Sequence, residues 1–264
     1  LIALALVLPI VPANADSTPD LETADGIRKA LGHREAGTRL LAARAALEVQ
    51  DRKLTAPLVR ALKDDEREVR HAAIEALRAR EGKQRTSAAR GLAARLPTYL
   101  KPGADAEEHA VVVQALHDLA DPVSIKPLLD VPVTLDRRIV KARAMAVANV
   151  PDAAAIEALI QLGSRGRRGA GLRDVSRDAL NYATGQRFRA QPDAWRQWWR
   201  KAEKHFDFEA AFAMRQEARE AKAAKEREKA ERARKRRERE REAQERERDR
   251  PAPEGTGPGI DEPI

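Results

Sequence analysis

Apolar residues recur at helical spacing through most of the chain, and the clearest case is residues 54–80, LTAPLVRALKDDEREVRHAAIEALRAR. Leu54, Leu58, Ala61 and Leu62 form one stripe, and Val69, Ala72, Ala73, Ala76 and Leu77 form a second. Two short helices are predicted, each with a single apolar face. Between them Lys63-Asp64-Asp65-Glu66 makes a polar turn and sets acids at the start of the second helix, where its dipole favours them. Pro57 falls near the first turn of the first helix, where a missing N–H costs little. One such pair cannot bury both stripes and needs copies of itself on either side.

The copies are present. Pro57-Leu58 is echoed by Pro127-Leu128, and Val69-Arg70 by Val140-Lys141 and Val175-Ser176, at separations of 71 and then 35 residues. Ala76-Leu77 returns as Ala115-Leu116 after 39. A drifting all-helical period of this length points to an α-solenoid. The acid-to-valine-arginine pattern from Asp64 and Asp65 to Val69-Arg70, followed by the Ala-x-x-Ala-Leu run, resembles HEAT repeats, and the short units look most like the compact kind of phycobilisome lyases. The resemblance covers roughly residues 21–184. It implies that second helices line a concave face, exposing Arg67, His71, Arg78, Arg138 and Arg173 to a partner. It also implies that Arg70 and Lys141, at the family's basic position, serve structure by bonding the turn. Such repeats specify fold far better than function.

Taken in order, an all-α fold of about five HEAT-like pairs is expected over residues 16–184. Predicted helices are Leu21–Leu31 and Ala36–Gln50 (with Leu40, Leu41, Ala43, Ala45 and Leu47 as its apolar positions), the pair at 54–80 closed by Gly82, then Ala88–Leu100 and Ala106–Ala120. A short helix cut by Pro132, then Leu135–Val150, Ala153–Leu162 and Leu172–Thr184 complete the set. Residues 185–206 read as a capping helix started by Pro192, with Trp195, Trp198 and Trp199 on one face and Phe188 beside them. These four are expected to cover the stripe that the last repeat leaves open. Residues 207–250 are rich in Ala, Glu, Lys, Arg and Gln and hold no Gly or Pro, predicting one solvated helix with no coiled-coil seam after Met214. A disordered tail is expected over 251–264.

Composition narrows the chemistry. There is no cysteine, so disulfides, thiolate metal sites and cysteine nucleophiles are excluded. Aromatics are 3%, so Ala, Leu and Val must close the core. The five histidines include His109 and His117, about 12 Å apart along a helix and too distant for one metal, and they read as surface or groove residues. No catalytic residue, metal site or cofactor is expected.

The first fifteen residues, LIALALVLPIVPANA, carry the apolar run and Ala-x-Ala ending of a secretory signal peptide without its charged leader. A truncated start and export to the periplasm or cell envelope are expected, with no stable membrane span in the mature chain.

Two functional readings follow. The first is a non-enzymatic scaffold holding a protein or peptide on the concave face. The second is a polyanion or nucleic-acid binder. It would use the loop from Gly163 to Gly171, where Arg165, Arg167 and Arg168 could hold an anion, and the basic C-terminal helix. The net charge is +8, and residues 215–250 hold 16 Lys/Arg against 11 Asp/Glu. The acids are interleaved and no aromatic stacking platform accompanies them, which argues against nucleic acid, as does export.

Overall fold

Acidic and hydroxyl side chains begin several of the helices by accepting the free N–H groups of the first turn. Thr23 accepts from Gly26, Asp105 from Glu107 and Glu108, and Asp136 from Arg138. The computed structural model describes residues 20–132, 136–165, 171–189 and 191–248, and among these every regular element is helical. The α-helices are α1 (Ala24–Ala30), α2 (Ala36–Ala45), α3 (Thr55–Ala61), α4 (Arg67–Arg78), α5 (Gly82–Ala93) and α6 (Ala106–Leu119), then α7 (Ile125–Leu129), α8 (Arg137–Ala148), α9 (Ala153–Arg165), α10 (Leu172–Thr184), α11 (Pro192–Ala202) and α12 (Phe208–Arg248). Short 3₁₀ turns lead into α3 and α7 and follow α5 and α11.

The contacts have a simple order. Consecutive helices pair as α1 with α2, α3 with α4, α5 with α6, α7 with α8, and α9 with α10. The second members also pack on one another in succession, α2 on α4, α4 on α6, α6 on α8 and α8 on α10. Among the first members α3 meets α5, α7 meets α9, and α11 follows on α9. The core between them is mainly Ala, Leu, Val and Ile. Small side chains let short helices approach closely, so the shortage of aromatics costs little packing.

Several boundaries differ from expectation. Helix α2 stops at Ala45, and its buried positions are Ala42 and Ala43. Leu41 and Leu47 instead face outward, 55% and 40% exposed. Gly82, with φ of 52°, opens α5 rather than closing α4, which ends at Arg78. The helix expected over Ala88–Leu100 starts earlier and gives way to a 3₁₀ turn at Leu96–Leu100, with Pro97 in its first turn. Gly163, expected in an open loop, lies inside α9 and is buried. A Cβ there would meet Ser176 Oγ at 2.8 Å, so only glycine lets α10 come this close.

The chain divides into two units, residues 1–212 and 213–264. The second contains most of α12. Its described side chains are almost all exposed, and ion pairs one turn apart run along it, including Glu231 with Lys235 at 2.8 Å and Arg236 with Glu240 at 3.2 Å. No described helix is long and apolar enough to cross a membrane. The expected signal peptide and tail lie outside the described residues.

Candidate functional site

Two basic residues recur at the fourth position of a second helix and brace neighbouring pairs. Arg39 Nη1 donates to the carbonyls of His33 and Arg34, while Nε and Nη2 fork onto Asp64 of the next turn at 2.6 and 2.8 Å. Arg70 repeats this, donating to the carbonyls of Asp64 and Asp65 at 3.0 Å and to Glu108 at 2.7 Å. Lys141 reaches Asp178 at 3.4 Å. Arg70 bonds its turn as expected, whereas Lys141, exposed, meets an acid inside α10 instead of a turn, and Arg39 is a brace that the sequence reading passed over. The Arg39 fork holds the Asp64 carboxyl below its usual range.

Where α2, α4 and α6 lie side by side they frame a groove of about 510 Å³. Its apolar lining comes from Ala43, Leu47, Ala72 and Val111, and its walls carry Arg44, Arg67, Glu68, His71, Glu75 and Glu107. Arg67 and His71 are therefore brought together on α4. Arg67 is spoken for, with Nε 3.1 Å from Asp105 and Nη2 2.6 Å from Glu107. Neighbouring acids raise its already high pKa. His71 is half-buried and its Nε2 is enclosed without a hydrogen-bond partner. Arg78 also lies on α4 and pairs with Glu75 and Asp118, but does not line the groove. Arg138 on α8 and Arg173 on α10 are exposed and lie outside it.

The glycine-arginine loop is only partly described. Arg165 ends α9, and its Nη1 donates to the Leu129 carbonyl at 3.2 Å. Arg167 and Arg168 lie outside the described residues. The indoles are core groups: Trp195 and Trp199 are buried, while Trp198 and Phe188 pack half-buried against the same cluster. Phe188 meets Trp195 edge-on at 4.8 Å.

The largest departure concerns polar residues inside. His109 is buried rather than at the surface, and stacks on Tyr99 with ring centroids 5.2 Å apart. Glu108 beside it is 2% exposed and accepts from Arg70 and, at 2.6 Å, from the Tyr99 hydroxyl. Burial pushes its carboxyl up, but the bonds from Arg70 and Tyr99 and the charges of Arg70 and Arg95 more than offset this, so it titrates below its ordinary range. Burial pushes the Tyr99 phenol up. Arg143 of α8 is fully enclosed and donates from Nε to His109 Nε2 at 3.0 Å and from Nη2 to the Leu96 carbonyl at 3.3 Å. That bond requires the neutral imidazole, and burial with the Arg143 charge pulls His109 down to about 4. Arg143 is itself pulled down to about 10 by burial.

A signal for these was present. Glu108 sits four residues before Val112, and Arg143 falls between Val140 and Val147 on the buried stripe of α8. A charge in the apolar register marks an interior site. The chain matches no known family model, and no curated protein is measurably similar to it.

Proposed function

We propose that the chain is an exported, non-enzymatic scaffold of HEAT-like pairs that holds a protein or peptide partner in the groove framed by α2, α4 and α6. One observation carries this reading. The groove joins an apolar lining to walls of both charge signs on the second helices, the face that the repeat resemblance assigns to partners. Leu47, 40% exposed at its edge, supplies apolar surface that a partner would cover. Arg67, already neutralised by Asp105 and Glu107, favours a partner of mixed charge over a polyanion.

A photo-crosslinking side chain at His71 tests this in the full chain. The partner is expected to be trapped there and not from Lys53, which is exposed and lies outside the groove. Leu47→Glu should abolish trapping, and binding should change little between low and moderate salt. Equal trapping from Lys53, or binding that collapses as salt rises, overturns the reading.

A further inference from the structure

A second cavity shares no lining residue with the groove. It has a volume of about 710 Å³ and is bounded by α5, the 3₁₀ turn after it, α7 with the 3₁₀ turn before it and residues 130–132 after it, and α8. Its apolar lining is supplied by Leu96, Pro97, Leu100, Val123, Pro127 and Val131. Arg143 stands in its inner wall, shut off from solvent.

The Arg143 guanidinium is incompletely satisfied. Its Nε and Nη2 spend their hydrogen bonds on two neutral acceptors, His109 and the Leu96 carbonyl. Its Nη1 is enclosed without any partner. Among the described residues no carboxylate forms an ion pair with it. Asp130 lines the same cavity and its charge is felt by Arg143, but it is exposed to water. A buried cation surrounded by neutral groups is costly, and the cost is relieved by an anion brought near it. Two further cations, Arg90 and Lys126, line the cavity and outweigh Asp130.

We propose that this cavity binds a small apolar carboxylate, its head group drawn to the cations of the wall, Arg143, Arg90 and Lys126, and its hydrocarbon body among the prolines and leucines. The volume falls within the range of small-ligand sites and suits a chain of about six to ten carbons. A guanidinium takes a carboxylate in preference to a neutral hydroxyl because the bond is charge-assisted. This inference stands apart from the groove reading, since it uses a different cavity and none of the same residues.

Titration calorimetry on the full chain with octanoate as the probe tests it, at neutral pH and below the micellar range. Octanoate is expected to bind, with octan-1-ol and octylamine at least tenfold weaker. Arg143→Met should lose at least tenfold in octanoate affinity while melting at the same temperature or higher, because it removes an uncompensated buried charge. Should that variant fail to fold, Ala94→Trp decides, since Ala94 is exposed and lines the cavity. It should reduce binding without lowering the melting temperature. Asp130→Asn should tighten binding. Equal affinity for octanoate and octanol, no binding of either, or unchanged binding in both Arg143→Met and Ala94→Trp overturns the proposal. So does binding only of a peptide ending in a free leucine carboxylate.

Discussion

Arg70 Nε donates to Glu108 Oε2 at 2.7 Å across the contact between α4 and α6, and the same guanidinium ties the turn before its own helix. One side chain therefore fixes both the internal geometry of a helix pair and the position of the next. Glu108 is almost wholly enclosed, so removing it strands Arg70 and Arg95 beside a core. Glu108→Ala is expected to destabilise by about 3 kcal/mol in urea unfolding. The double variant Arg70→Met/Glu108→Leu should recover much of this, because it leaves no unpaired charge. A cycle showing simple additivity would separate the two residues energetically.

His109 supplies a pH dependence whose sign follows from its bond to Arg143. It stays neutral in the folded chain down to about 4 but takes up a proton near 6.5 when unfolded. The unfolded state binds more protons between those values, so its contribution is complete above about 6.5 and is lost as pH falls toward about 4. Stability should drop by a few kcal/mol across that window in denaturant titrations at stepped pH. His109→Gln keeps an acceptor for Arg143 and cannot titrate, and should flatten the upper part of the slope. The depressed Glu108 acts lower down, its contribution present above the ordinary glutamate range and lost as pH falls through its own reduced value.

The tryptophans of α11 should not behave alike. Trp195 is 1% exposed and Trp198 half-buried. Trp195→Ala is expected to cost about 4 kcal/mol and Trp198→Ala clearly less, by thermal melts followed in near-ultraviolet dichroism. Equal costs would mean that burial does not rank the two indoles.

Gly163→Ala places a methyl group against Ser176, whose Oγ would be 2.8 Å away. Because Ser176 Oγ also donates to the Leu159 carbonyl at 2.7 Å, it cannot turn aside freely. A loss of about 2 kcal/mol is expected, partly restored by Ser176→Ala.

The helical class was legible because the stripes of α4 and α8 repeat at the helical period and little else competes with them. The turns carry a repeating signal of their own. Asp20, Asp51, Asp121 and Asp152 each accept from the backbone N–H two residues on, and the first two and last two are each separated by 31 residues. Helix α2 defeated the pattern because alanine can serve either face: Ala42 and Ala43 took the core and left Leu41 outside. Gly163 misled because glycine signals a loop locally, whereas here it answers a close approach between distant helices. The Arg143 cavity could not be read at all from spacing, since its walls come from several elements that only tertiary packing brings together.

The braces from Arg39 and Arg70 also bear on mechanical behaviour. Each joins a helix pair to its immediate neighbour, Arg39 to Asp64 and Arg70 to Glu108, so load passing from one pair to the next falls in part on these two bonds. Pulling on a single molecule should give a train of small successive ruptures, each releasing about one pair's length of chain, rather than one large break.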